Sequence, residues 1–474
     1  MKIHEFLFGT GLLITACALT ACGGGGGGDG GATTAAASGG STPATYGLAG
    51  AVNGLSSSSV VLSDGVQPSS NSVTVQAATP AVSATPFSFK SGATYLSAGA
   101  TYDITLQQQP TGARCAVASA TGTVAANVTN LAVNCVAPSV AALVDPSTYA
   151  AALGATSQSL FADRSVAVDG AGNVYAADTI SGKLLKILPS GSVSVLALTD
   201  ASTGAAITAP AIQMVAVTQA GKIYVAATSS AGGAVIETIN SANVVTTLAG
   251  SGSIGATDGS GTAASFGGDI AGLAVDASGT VYVADAGATS LPGNRIRKVT
   301  AAGVVTTLAG SSAAGAANGA GAAASFNLLG QGSHVAVDTS GNVYVVEWPN
   351  EDVRMITAAG AVTTLAGSPT RAGTTDGAGA STASFANPHS IATDGAGNVY
   401  VVDGTGAIRM ILPNGVVSTL LTSGSAVVGA NNNVVQSGGY DLDGIVVAAD
   451  GTIYASATVV ATAITAQLDK ITFQ

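Results

Sequence analysis

Charge is what this chain has least of. Only 8% of its 474 residues are Asp, Glu, Lys or Arg, just 14 of them are cationic, and the net charge is −11. No basic cluster follows Lys2. A protein that neutralises phosphates needs a cationic face, so this composition argues against nucleic acid as a partner. The same shortage argues against long amphipathic helices, whose solvent faces are clothed with Lys, Glu and Arg. Aromatics are 4%, with one tryptophan, and histidines number three. Neither HExxH nor GxSxG occurs. No glycine-rich loop leads from a strand into a helix as a phosphate cradle would, and nothing asks for a cofactor. What the chain has in quantity is glycine, 64 residues of it, with abundant Val, Thr, Ala and Ser. Those residues write strands and turns.

The N-terminus reads as an address. "MKIHEFLFGTGLLITACALTAC" has a positive start at Lys2, an apolar run from Phe6 to Ala21, and small residues before a cysteine. The pattern is that of a secretory signal, too short for a membrane span. Leu19-Thr20-Ala21-Cys22 resembles the lipobox of bacterial lipoproteins. The resemblance implies cleavage of residues 1–21 and lipidation of Cys22. A rival lipobox ends at Cys17 with a shorter apolar core, and an ordinary signal with an incidental cysteine is the plain alternative. Residues 22–45, beginning "CGGGGGGDGG", can bury nothing and read as a flexible tether. Gly at position 23, where an inner-membrane lipoprotein would carry Asp, implies by the same resemblance the outer membrane of a Gram-negative cell. The expected attachment to membrane is through this lipid only. Export also interprets the cysteines: Cys115 and Cys135 are the pair left outside the signal, and in an oxidising envelope they read as a disulfide.

Residues 46–137 alternate short apolar stretches with turn residues, as in "SVVLSDG" and "TYDITLQ". Strands of this length at this spacing predict a small β-sandwich. The segment resembles the immunoglobulin-like or transthyretin-like spacer modules of bacterial surface proteins. Spacer is the reading taken, with carbohydrate binding as the alternative.

From 138 to 474 the chain repeats itself. The tyrosine of a "VY" or "IY" dipeptide marks each copy, at Tyr175, Tyr224, Tyr282, Tyr344, Tyr400 and Tyr454. The third copy shows four strands in "LAVDA", "TVYVAD", "RIRKVT" and "VVTTLAG". Four antiparallel strands per period, repeated six times, predict a six-bladed β-propeller. The motif "LAVDASGTVYVADAG…NRIRKVT" resembles the NHL repeat. The second copy departs from it at Thr218 and Ala227, and the last at Ala448 and Ala457. The fold class expected is therefore all-β: an NHL-type six-bladed propeller behind a small sandwich. The sixth copy runs out after its third strand, so Val140 to Val144 are expected to supply its fourth and close the ring.

Candidate chemistry concentrates in few residues. Asp169, Asp276, Asp338 and Asp394 stand where strand one turns into strand two, and read as turn caps. Asp178, Asp285, Glu347 and Asp403 close strand two at the opposite face, and the resemblance to the NHL repeat implies that they brace the next loop, pairing with Arg295, Arg354 or Arg409. Three near-duplicate linkers, "TDGSGTAASF", "ANGAGAAASF" and "TDGAGASTASF", read as Asx turns with Phe266, Phe326 and Phe385 packed between blades rather than as calcium loops. His334 and His389 begin innermost strands, on the face where Glu347 and Asp403 end theirs. These four with Trp348 form the candidate ligand or metal site at the mouth of the ring. The two histidines are one register apart, however, and a one-residue offset turns a strand side chain to the other face.

The function expected is a lipid-anchored, monomeric envelope propeller that binds a protein or saccharide through its mouth face. The alternatives are a propeller lyase or lactonase-like hydrolase with an acid/base or metal site there, and a structural envelope protein without a specific ligand.

Overall fold

In the computed structural model the described residues are 45–473, apart from 57, 67–70, 80–81, 90–95, 155–164, 179–180, 208–211, 289–290, 329–331, 405, 423–439 and 461–463. Residues 1–44, which hold the segment read as signal and all but the last residue of the tether and include Cys22, lie outside them. No helix among the described residues is long and apolar enough to cross a membrane.

The first folded part is a sandwich of two four-stranded sheets. One orders Ala84–Ser88, Leu48–Asn53, Val128–Val136 and Arg114–Ala118; the other orders Ser72–Gln76, Ser59–Asp64, Thr101–Gln108 and Thr121–Thr123. Period-2 alternation produces this packing: along Ser59–Asp64 every second side chain is buried. Val52, Val60, Leu62, Ile104, Leu131 and Val133 fill the space between the sheets. Cys115 and Cys135 stand opposite each other on adjacent strands and form the disulfide.

Six further sheets follow, each with four antiparallel strands and four of them with a short fifth at the outer edge. These are the blades of a six-bladed β-propeller. Blade four is representative, with strands Ser333–Val337, Val343–Glu347, Asp352–Ile356 and Ala361–Gly367. Its first two strands are buried almost throughout, because neighbouring blades cover both faces. The recurring tyrosine has a mechanical reason. Asp338 Oδ1 accepts from the backbone N–H of Ser340 and Asn342, each at 2.9 Å, while its Oδ2 accepts from the Tyr344 hydroxyl at 3.0 Å. The same closure joins Tyr175 to Asp169 at 3.2 Å and Tyr400 to Asp394 at 2.9 Å. In blade two, where Thr218 replaces the aspartate, the Tyr224 hydroxyl is buried without a partner.

The ring closes as a clasp. Ser139–Val144 pairs antiparallel with Ile464–Thr472, with Val140 opposite Ile471 and Val144 opposite Leu468. It is the outermost strand of blade six. The two ends of the propeller segment thus share one sheet.

The sandwich is docked on the ring rather than merely strung before it. The Gly112 N–H donates to Thr419 O at 2.8 Å, and the Ser418 hydroxyl donates to the buried Gln109 carbonyl at 2.9 Å. Asn414 Nδ2 reaches Gln107 O at 3.1 Å. Arg114, beside the disulfide, pairs with Asp394 at 3.1 Å and lies over the rings of Tyr400 and Phe473. Asp394 and Asn414 sit in the two turns that lie at the end of blade five away from the mouth. Val128–Val136 runs toward this junction, and Leu48–Asn53 runs parallel to it. The chain therefore enters the sandwich at the end remote from the ring, and the mouth opens on the other side.

Candidate functional site

The mouth face is where each second strand ends and each first strand begins. Both acids expected to project there are turned inward. Glu347 Oε2 accepts from Arg354 Nη1 at 2.9 Å, with both side chains fully buried. Its Oε1 accepts from the Asn327 N–H at 2.6 Å and from Asn350 Nδ2 at 3.1 Å. Asp403 is held the same way, by Arg409 at 2.9 Å and by the Ala386 N–H at 2.9 Å. Burial pushes both carboxyls above their usual range, and the adjacent guanidinium pulls each back.

Blade three repeats the device with one correction to the expected pairing. Asp285 pairs with Arg297 at 3.1 Å, not with Arg295, whose Nη1 donates to Gly293 O. In the register Arg297 stands opposite Val283, the position that Arg354 holds opposite Val345 and Arg409 opposite Val401, whereas Arg295 stands directly opposite Asp285. The linkers are corrected as well. Asp258 does not cap its own turn; it accepts from Arg297 Nη2 at 2.7 Å and from the Thr307 N–H at 3.1 Å. Asp376 does the same for Arg409 at 2.8 Å, and Asn318 Oδ1 for Arg354 at 2.7 Å. An arginine fork needs an oxygen at this position, which an amide supplies as well as a carboxylate. Phe266, Phe326 and Phe385 are fully buried between blades, as expected, and each lies under its arginine at 5.3–5.4 Å. The acid, the arginine, the phenylalanine and the linker oxygen thus make one brace in each of blades three, four and five.

The histidines part company. His334 is buried on the first strand of blade four, opposite Val346 and against Gly272 of blade three. His389 stands at the rim, with Nδ1 3.1 Å from Asn387 O and Nε2 2.9 Å from Leu442 O. It lines a pocket of about 230 Å³ with Trp348, Asn387, Gly404, Gly406, Leu442 and Asp443. Three blades contribute to it. Trp348, in the short helical turn Trp348–Asn350, remains 40% exposed, and its Nε1 donates to Asn387 Oδ1 at 2.5 Å. Asn387 holds the pocket together: its own N–H donates to Glu351 Oε2 at 2.6 Å, tying blade five to blade four. Its φ of 55° is left-handed, which asparagine tolerates better than most residues.

Of the five expected site residues, then, Trp348 and His389 share an open pocket, Glu347 and Asp403 lie braced beneath it, and His334 does not line it. Asn387 and Asp443 were not among the expected residues. The αL-prone Asn before Pro388 in "ANPHS" was the available signal for the first; nothing in the repeat pattern marks the second. Among the described residues no group of three or more His, Cys, Asp or Glu is placed to hold a metal.

A family model described as the Teneurin NHL domain matches residues 370–443. No curated protein matches the chain. Among solved structures, one similar fold is a protein of unknown function from Bacteroides thetaiotaomicron, at 14% identity, covering 87% of this chain and 90% of that one, with a TM-score of 0.48. An auxiliary nutrient binding protein from the same organism is 12% identical over 89% of this chain and 92% of that one, with a TM-score of 0.46. Virginiamycin B lyase from Staphylococcus aureus is 14% identical over 66% and 95%, with a TM-score of 0.40. The ring is an NHL-type propeller.

Proposed function

We propose that this protein is a lipid-anchored binding module of the cell envelope, which takes a protein or saccharide partner in the mouth pocket of blades four to six. One contrast carries the reading. Glu347 and Asp403, the acids a mouth-face catalyst would use, are fully buried in arginine braces, while Trp348 is left 40% exposed at the rim of an open pocket. A general base must be within reach of a ligand proton. His389 has a carbonyl oxygen against each ring nitrogen instead. The lyase or hydrolase reading is accordingly the weaker one. The lipobox at Cys22 and the glycine-rich tether support the envelope address. The docked sandwich supports the direction of presentation, since the chain enters it at the end remote from the ring.

The test uses a Cys22→Ser background, so that lipid does not carry the protein into the pellet. Cosedimentation with a washed envelope fraction is expected for this form and is expected to be lost in Trp348→Ala and Asn387→Ala. Equal retention of all three would overturn the mouth-face reading.

A further inference from the structure

We infer that the mouth pocket is built for a single ring of a neutral saccharide stacked on Trp348. This rests on the binding reading above and narrows it to one ligand class.

The platform is fixed before any ligand arrives. The indole is tied through Nε1 to Asn387, and its back rests on Gly332, where a Cβ would fall 2.5 Å from Cε3. Only backbone fits there. A rigid aromatic surface is ordered at little further entropic cost on binding. About 230 Å³ is below the roughly 300–1,000 Å³ of sites for drug-sized ligands, so the pocket takes one ring or the end of a chain.

Charge then removes the competing classes. No lysine or arginine lines the pocket, and the guanidiniums beneath it, Arg354 and Arg409, are buried and committed to their braces. Phosphates, sulfates and uronates therefore find no counter-charge. Both ring nitrogens of His389 already face carbonyl oxygens, Asn387 O at 3.1 Å and Leu442 O at 2.9 Å, so the imidazole offers a ligand no open nitrogen. Acyl chains and apolar peptide side chains would need more than the indole, because Leu442 is only 1% exposed.

A neutral hydroxylated ring meets what remains. Its C–H face covers the exposed indole, and its equatorial hydroxyls project into a rim of polar groups. Asp443 lines that rim. Asn387, with Oδ1 taken by Trp348, supplies Nδ2 as a donor.

Because Trp348 is the sole tryptophan, intrinsic emission of the full chain reports on this pocket alone. The experiment titrates glucose, galactose, mannose, N-acetylglucosamine and their β-linked disaccharides, with glucuronate and tetramethylammonium as charged arms. Calorimetry runs in parallel. At least one neutral sugar is expected to shift the emission saturably. Trp348→Ala is expected to weaken its binding at least tenfold by calorimetry, and Trp348→Phe, which keeps a stacking face, to weaken it less. Absence of neutral-sugar binding to the wild-type chain overturns the inference, as does unchanged sugar affinity in Trp348→Ala. Saturable binding of glucuronate or tetramethylammonium alone overturns the ligand class while leaving the mouth-face reading standing, since that reading fails only by the cosedimentation result.

Discussion

Asp469 occupies in blade six the register position that Arg409 occupies in blade five. Arg409 lies opposite Val401, one step from the Tyr400–Met410 pair; Asp469 lies opposite Ala455, one step from Tyr454–Lys470. A carboxylate thus replaces the guanidinium of the brace in the blade that the clasp closes. Its Oδ1 accepts from Gln467 Nε2 at 2.5 Å, its Oδ2 has no partner, and burial raises its pKa well above the usual carboxylate range. Asp469→Asn keeps the shape and removes the charge. It is expected to raise stability at pH 8, because the unfolded chain carries this carboxyl ionised and folding must bury that charge or take up a proton. Urea midpoints measure this, and an unchanged or lowered midpoint would contradict it.

The pH dependence follows from the same physics. Asp352, buried opposite Glu347, is pushed up to about 9 by burial first and by the neighbouring carboxylate second. Folded, it keeps a proton that the unfolded chain gives up near pH 4. The native state therefore binds more protons than the unfolded one across that interval, and stability falls as pH rises from about 4 to about 9. Asp352→Asn is expected to remove about 1.4 kcal/mol per pH unit of that decline. Stability curves at pH 5, 7 and 9 with identical slopes for the two proteins would contradict the assignment.

The braces give the opposite sign. Arg409→Ala strands Asp403 in the core without its counter-charge, and the expected loss is about 3–5 kcal/mol. Arg409→Lys should not rescue it, because one ammonium cannot reach Ser384 O, Thr375 O, Asp376 and Asp403 together. Replacing both Asp403 by Asn and Arg409 by Met should cost less than Arg409→Ala alone. Chemical denaturation of the three variants checks the order.

Docking of the sandwich is tested at Arg114. Arg114→Ala removes the pair with Asp394 and both ring contacts. Calorimetry of this variant is expected to resolve an earlier sandwich transition from that of the ring, where the wild type melts as one. Reducing Cys115–Cys135, whose partners are 20 residues apart, should lower the sandwich by a further ~3 kcal/mol. Superimposable melts of variant and wild type would refute docking.

Much of the fold was legible because a propeller blade is a local object. The period, the strand count and the clasp strand Val140 to Val144 can all be read within one copy or by comparing two. The one-residue offset of His334 and His389 likewise foretold their separation. What escaped was long-range. That Asp258 turns from its own loop to Arg297 depends on linker and blade meeting across 39 residues. Asp443 joins the pocket only because blade six adjoins blade five. The pairing of Glu347 with Arg354 and of Asp403 with Arg409 followed the expected braces, and it took both acids out of the candidate site.

The envelope address has its own test. In a Trp348→Ala background, which removes the mouth-face attachment, Cys22→Ser is expected to move the protein from the membrane to the soluble fraction with the ring still folded. Persistent membrane association would transfer the lipid to Cys17 or discredit the lipoprotein assignment.

Hydrogen–deuterium exchange on the full chain, with and without the washed envelope fraction, tests the central claim most directly. Partner binding at the mouth should slow exchange in the peptides containing Trp348, Asn387 and Asp443, and leave the turns at Asp394 and Asp450 unchanged. Protection at those turns instead, or no protection anywhere, would contradict the account.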